Sequence, residues 1–298
     1  MDQKISAIIN TFNEEGNIAE AIKSVEFADE IIVCDMHSQD KTSEIAKKNG
    51  AKVFLHKYTG FVEPARNFAI SKASFDWILI LDADERIPTD LAKRIKEIVR
   101  KTKSHDFVQI PRKNIIFGKW MQASGWWPDY QIRLFKKGRI VWSDKIHSQP
   151  ETKGEGLTLP AEERYSILHN NYQTVNQFIE RMNRYTTIEA EELIKKGYKF
   201  SWRDLIEKPF SEFLGRFFAN RGFDDGLHGL VLSLLQSFSF VIVYLKTWEK
   251  SKFRQENINI SDIMLEAERS GKSISYWFGE IAKSKSPFSN FFKIFKRQ

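Results

Sequence analysis

Short apolar runs alternate with stretches of helical spacing through the first third of the chain. "KISAIIN", Lys4 to Asn10, reads as a strand. "GNIAEAIKSVEFA" follows it with Ile18, Ala21, Ile22 and Val25 at the three- and four-residue spacing of a helix that buries one face. "EIIVCD", Glu30 to Asp35, is a second strand, and "KTSEIAKKNG" a helix closed by Gly50. "AKVFLH" is a third strand, and "PARNFAISKA" opens a helix with Pro64 in its first turn, where the missing N–H has no helical partner to lose. "DWILILD" is a fourth strand and "PTDLAKRIKEIVRK" a helix. This β-α alternation predicts an α/β domain with a mostly parallel sheet and helices on both faces.

In such sheets ligands gather beyond the carboxyl ends of the strands. Asn10 to Glu14, Asp35, and Asp82 to Asp84 all fall at those ends, so three strands deliver polar groups to one edge. From Ser104 to about Leu168 the chain is rich in Trp, Tyr, Arg and Gly, with strand-like pieces in "FVQIPR" and "QIRLFKKGRIVW"; this predicts a mixed extension of the sheet with long loops. From Thr174 the pattern turns helical, in "TVNQFIERMNRYTTIEAEELIKKG", "PFSEFLGRFFANRGF" and "GLHGLVLSLLQSFSFVIVYLKTW". The division expected is a catalytic domain over 1–172 and a helical region over 173–298, membrane-associating or oligomerising.

Charge and composition narrow the partners. The chain has 298 residues and a formal charge of +7, and its last stretch, "KSKSPFSNFFKIFKRQ", holds Lys283, Lys285, Lys293, Lys296 and Arg297 without an acid. Zinc-finger spacing and RNA-binding aromatic signatures are missing, so nucleic acid is not an expected partner. Phe288, Phe291, Phe292 and Phe295 among those lysines suit the headgroup layer of an anionic bilayer. Phe210, Phe213, Leu214, Phe217 and Phe218 repeat the spacing, where membrane contact and a stripe packed against the catalytic domain or in a dimer stand equal. Gly226 to Leu245 barely reaches the ~20 residues of a span and contains His228, Ser233, Gln236, Ser237 and Ser239; it reads as a buried or interfacial helix. Cys34 is the only cysteine, which fits a reducing cytosol, and the first residues lack the pattern of a secretory signal.

Candidate chemistry centres on "WILILDADERI", where an apolar run ends in Asp82, Asp84 and Glu85. In an extended segment positions i and i+2 share a side. Two carboxylates there suit Mg²⁺ or Mn²⁺ held together with a ligand's phosphates. The plain alternative is that Asp82 starts a turn and Glu85 caps the next helix.

Together "IINTFNEEGNI", "EIIVCDMHSQDKT", "GFVEPARNFAI", "WILILDADERI" and "GWWPDYQIRLF" resemble the family 2 glycosyltransferases, which have the nucleotide-sugar-binding GT-A fold. The resemblance is to the bacterial subgroup that adds a sugar to lipopolysaccharide core or related glycolipids. It implies an inverting, metal-dependent transfer of a hexose from a UDP-sugar, UDP-glucose favoured, to a lipid-linked glycan. It also implies an enzyme working peripherally on the cytoplasmic face of the inner or plasma membrane; oligomeric state stays open. Carried over by position, Thr11, Asn13 and Glu14 match the nucleotide-facing first loop, and Asp35 the acid that reads uracil and ribose. Arg66 matches the arginine that approaches the nucleotide or its phosphates, Asp82 the ribose and metal-shell acid, and Asp84 the direct metal ligand. Asp129 in "SGWWPDY" matches the catalytic base, with a turn aspartate as the alternative, and Trp126 and Trp127 are placed to stack on sugar faces. Arg133 would balance phosphate charge and His147 bind metal or diphosphate. Ser148 stands where the subgroup has Glu after that histidine, so a His147 packed without metal remains an alternative.

Three rival readings compete with the transferase. Haloacid-dehalogenase-type phosphatases also carry D-x-D after a strand, but place Thr or Val where this chain has Arg86. A nucleotidyltransferase would need a Gly-rich phosphate loop near the start. The non-catalytic rival is a degenerate transferase acting as a membrane scaffold; an intact D-A-D argues against it.

Overall fold

A computed structural model describes residues 3–58, 62–101, 104–142 and 150–283. The chain divides into two compact units. The first holds the described residues up to Trp120 together with Trp127–Gln173; the second holds Met121–Trp126 and the described residues from Thr174 on.

The first unit's strands are β1 (Ile5–Thr11), β2 (Glu30–Asp35), β3 (Lys52–Leu55), β4 (Trp77–Asp82), β5 (Glu85–Arg86), β6 (Phe107–Ile116), β7 (Lys119–Trp120), β8 (Asp129–Lys136), β9 (Ile140–Val141), β10 (Glu151–Thr152), β11 (Gly156–Thr158) and β12 (Ile167–Tyr172). The main sheet runs β3-β2-β1-β4-β8-β6-β12-β5, with β7 and β11 on β6. β3, β2, β1 and β4 are parallel, as the alternation predicts. β8 then inserts antiparallel between β4 and β6, and β12 joins β6 in parallel. The sheet is therefore the expected GT-A-like α/β layer with a mixed second half.

Both faces of the sheet are apolar, which is why the central strands read as near-continuous hydrophobic runs. Ala7, Ile9, Val33, Leu79 and Leu81 pack on one face with residues of α1 (Ile18–Ser24), α2 (Thr42–Lys48) and α4 (Thr89–Lys101). Ile8, Ile32, Cys34, Ile78 and Ile80 pack on the other with α3 (Glu63–Ser71). Each fully buried aliphatic side chain contributes about 1.5–3 kcal/mol. At the opposite end of the strands from the polar edge, buried Glu30 accepts from Ser6 Oγ (2.7 Å), Lys52 Nζ (2.8 Å) and the Ser74 amide (2.9 Å). Burial acts to raise its carboxyl, but these bonds outweigh it and hold it down at about 2.

The second unit consists of α5 (Val175–Lys195), α6 (Asp204–Leu214), α7 (Leu227–Lys250) and α8 (Ile260–Lys283). Thr174 caps α5, its Oγ1 accepting from the Gln177 amide at 3.1 Å. α6 starts before the proline that seemed to open it, so Pro209 lies inside the helix, and a π-helical turn (Gly215–Ala219) follows. Phe210, Phe213, Leu214, Phe217 and Phe218 pack together with Ile274 and Trp277 of α8, Leu214 and Phe218 buried and the other three partly so. α8 has no counterpart in the sequence reading, because Gly271 and Gly279 interrupt its helical pattern. Among the described residues α7 alone is long and apolar enough to cross a membrane, by length and composition. The segment 121–126 is clipped into this unit by Asp225, whose carboxylate accepts from the amides of Gln122 (3.0 Å) and Ala123 (2.8 Å).

Candidate active site

Strand register assembles the polar edge. Asn10 on β1 pairs with Asp82 on β4, and Thr11 with Asp35 on β2. Asn10, Thr11 and Asp35 are buried, and neither the Asn10 amide group nor the Thr11 hydroxyl has a partner among the described residues. Buried polar atoms without partners cost stability unless something else meets them, and here they stand where ligands of such sheets bind. Asp35 Oδ1 accepts from the Ser38 amide (2.9 Å) and hydroxyl (2.7 Å), so it shapes the loop after β2 rather than capping α2. Asn13, in left-handed backbone (φ 54), accepts the Gln39 amide at 2.8 Å, and the Glu14 amide donates to Thr42 Oγ1 at 2.8 Å. These two residues lace the first loop to the second.

The acids after β4 do not lie along an extended segment. Residues 83 and 84 form a turn, which lets β5 pair antiparallel with β12 through Glu85 and His169. Asp82 and Asp84 consequently meet different partners. Asp82 is gripped by Arg66 Nη2 (3.0 and 3.1 Å) and Arg133 Nη2 (2.7 Å). Burial works to raise its carboxyl, but the Arg133 and Arg66 guanidiniums prevail and keep it far below the usual carboxylate range. Glu85, for which a helix cap is the plain alternative in the sequence, is instead fully buried, accepting from Arg133 Nη2 (2.6 Å), Arg112 Nη1 (3.2 Å) and the Asp82 amide (3.1 Å). Arg133 is thus committed to two carboxylates, although its Nε and Nη1 remain buried without a protein partner, as does Nε of Arg66.

Asp129, at the start of β8, is strapped on one oxygen. Its Oδ2 accepts from Arg112 Nε (2.8 Å), Arg112 Nη2 (2.6 Å) and Asn114 Nδ2 (3.0 Å), whereas Oδ1 accepts only from Gln131 Nε2 (2.7 Å). Burial raises its carboxyl, but Arg112, Asn114 and Gln131 together hold it below the ordinary aspartate value.

His169 on β12 escaped the sequence reading. Its Nδ1 lies 2.6 Å from Asn114 Oδ1, and its Nε2 3.4 Å from Asp84 Oδ2. The Asn114 amide is oriented by its Nδ2 bond to Asp129, so its oxygen faces the imidazole and Nδ1 carries the proton. Nε2 therefore faces a carboxylate oxygen, and a proton or a cation can bridge the two. One carboxylate and one imidazole can ligate a divalent cation. Among the described residues no group of three metal-binding side chains forms. The signal for His169 was available in "ILHNNY": Ile167, His169 and Asn171 are the buried positions, and polar residues on the inward period of a strand mark a site.

A continuous chain of ion pairs and hydrogen bonds runs from Asp84 through His169, Asn114, Asp129, Arg112, Glu85, Arg133 and Asp82 to Arg66. The paired tryptophans are not brought together. Trp127 packs edge-on against Trp120 in the first unit (5.2 Å), whereas Trp126 lies beneath Arg216 in the second (5.7 Å). His147 and Ser148 lie outside the described residues.

Known proteins resemble this chain over most of its length. The family model "Glycosyl transferase family 2" matches residues 6–150. Uncharacterized glycosyltransferase RT0209 of Rickettsia typhi is 31% identical over 272 residues, 87% of this chain and 91% of its own. The lipopolysaccharide core biosynthesis glycosyltransferase LpsC of Rhizobium meliloti is 22% identical over 267 residues, 87% of this chain and 97% of its own. Among solved structures, S. aureus TarS 1–349 in complex with UDP aligns over 86% of this chain and 94% of its own at 17% identity and a TM-score of 0.43, a likeness too low to bear on the reading.

Proposed function

This chain belongs to glycosyl transferase family 2, and on that premise we propose that it transfers a hexose, from UDP-glucose first among UDP-sugars, to a lipid-linked glycan of the lipopolysaccharide core type, with inversion and with a divalent cation. The observation that carries the reading is the facing pair Asp84 and His169 beside the buried ends of β1, β2 and β4. A bound cation supplies charge neutralisation for the departing diphosphate. Thr11, Asn13, Glu14 and Asp35 form the nucleotide side. Arg66 and Arg133 hold Asp82 in one orientation toward ribose and the cation's outer shell. Likeness to LpsC supports a glycolipid acceptor. The work takes place on the cytoplasmic face of the inner or plasma membrane, and the acid-free basic sequence from Lys283 on, which lies almost wholly beyond the described residues, suits attachment to anionic lipid.

Asp129 is the base. The acceptor hydroxyl oxygen bonds to the anomeric carbon, the bond from that carbon to the diphosphate oxygen breaks, and UDP departs with the electron pair. The hydroxyl proton passes to Asp129 Oδ1, the less occupied oxygen. A carboxylate clamped by Arg112 is a weak base, so its share lies at the low end of the general-base range: Asp129→Asn is expected to lower kcat about 100-fold with the donor KM unchanged. In the wild type the acidic limb of kcat should fall below the ordinary aspartate range, since the carboxyl is depressed and stays ionised until pH drops through that lowered value. Steady-state UDP release checks both; a loss under about threefold removes Asp129 from the role.

The donor class is tested by melting curves of the full chain with UDP, ADP, GDP and CDP, each with and without Mn²⁺. A ligand bound only to the folded state at 100 times its Kd adds about 2.7 kcal/mol. Among the four nucleotides only UDP is expected to raise the melting temperature, with a further rise when Mn²⁺ is added; an equal rise with another nucleoside diphosphate would overturn the UDP assignment.

A further inference from the structure

α7 is built inside out. Two of its polar side chains bond to the neighbouring helices: Ser237 Oγ donates to the Pro209 carbonyl of α6 (2.7 Å), and Lys246 Nζ donates to the Asn183 carbonyl (2.6 Å) and Thr187 Oγ1 (2.7 Å) of α5, while Ser233 and Ser239 donate to carbonyls of α7 itself. Its outward face carries Leu227 (72% exposed), Leu234 (52%), Phe238 (48%) and Leu245 (38%). Steps of seven, four and seven residues return these side chains to one stripe, about 27 Å long at 1.5 Å per residue. From Leu227 to Leu245 the sequence contains no Asp, Glu, Lys or Arg. A continuous exposed apolar stripe of this kind marks a contact surface, not a solvated one.

The stripe ends at a second feature. After α7 the chain turns through Lys252 and Phe253, both in left-handed backbone (φ 57 and 53), a conformation strained for a bulky side chain. Trp248 fastens the turn: its indole N–H donates to the Arg254 carbonyl (2.9 Å), and its ring meets Phe253 edge-on at 5.0 Å. Phe253 is 53% exposed between Lys252 and Arg254, neither of which pairs with an acid among the described residues.

We propose that the α7 stripe and the Phe253 turn together are the surface by which this protein lies on an anionic lipid bilayer, with α7 along the interface and Lys252 and Arg254 among the headgroups. The inference deepens the reading of a lipid-linked acceptor and rests on it for its purpose, though not for its geometry. Apolar side chains in a stripe with cations at its margin match an anionic bilayer surface. A second copy of the chain offers less. The acids at the far end of the stripe are already used, Asp224 by Arg221 (2.7 Å) and Asp225 by the amides of Gln122 and Ala123. The two cations would find no partner there.

The test is co-sedimentation of the full chain with vesicles of phosphatidylcholine alone or with one-third phosphatidylglycerol. The wild type should sediment with the anionic vesicles and leave them in a carbonate wash. The pairs Leu234→Gln/Phe238→Gln and Lys252→Glu/Arg254→Glu should each weaken binding at least about tenfold, with unchanged melting and unchanged UDP-glucose cleavage in the absence of vesicles. Undiminished binding of both pairs overturns the proposal. So does retention through the wash, which would mean that α7 spans, or a lipid-free dimer that the Leu234→Gln/Phe238→Gln pair converts to monomer. Vesicle binding without UDP-sugar cleavage would leave this surface standing and remove the proposed function; cleavage without vesicle binding would do the reverse.

Discussion

Replacing Asp84 by asparagine is expected to slow UDP release from the donor sugar about 1,000-fold, the equivalent of roughly 4 kcal/mol of transition-state stabilisation. Asparagine keeps the shape of the side chain but not its charge. The imidazole Nε2 of His169 would then face an amide, which can donate to it directly, and the pair would no longer favour a cation. The variant should therefore fold as well as the wild type. Its melting temperature should still rise with UDP alone but gain nothing further from Mn²⁺. Separating these two shifts distinguishes loss of the cation from loss of the nucleotide site. A variant that retains Mn²⁺-dependent turnover within tenfold of wild type would place the cation elsewhere.

The second large effect concerns stability. Arg133 is 1% exposed and bonds simultaneously to Asp82 and Glu85. Methionine there matches its length but leaves both carboxylates short of a countercharge, and Glu85 has no exposure to water. Breaking a buried charge pair from one side costs about 3–5 kcal/mol. Arg133→Met should lose that much in urea unfolding, and adding Glu85→Gln should restore part of it, because a neutral amide needs no countercharge. A loss below about 1 kcal/mol would mean that Arg66 and Arg112 suffice to hold the acids.

Much of this was legible before any coordinates. The runs Ile5–Thr11, Glu30–Asp35 and Trp77–Asp82 declare themselves because a strand buried on both faces has no polar positions to blur it. Their polar ends lie side by side at one edge of the sheet, as the pattern places them. What stayed hidden is long-range. Glu85 looks like a helix cap from its neighbours, and only the folding of β12 and β8 against it reveals a buried acid between two arginines. Arg112 and Asn114 sit in "FVQIPRKNII", where nothing local says that they will face Asp129. Asp82 and Asp84 were placed on one side because an extended chain was assumed, whereas the turn at 83 and 84 exists to serve strand pairing elsewhere. Trp126 and Trp127 are adjacent in sequence, yet a short segment was drawn into the helical unit by an aspartate about a hundred residues away.

The lattice joining Asp84 to Arg66 also restricts how such a protein can change. Arg66, Asp82, Glu85, Arg112 and Arg133 are joined through shared ion pairs, with Asp129 balancing the charge of Arg112, so altering any one of the five leaves a neighbour short of a partner. Routes to a new donor preference that pass through these positions therefore require paired replacements, and single-site libraries would return mostly unfolded clones. The loops after β1 and β2 bear no such obligation, and selection for an altered sugar would find its foothold there first.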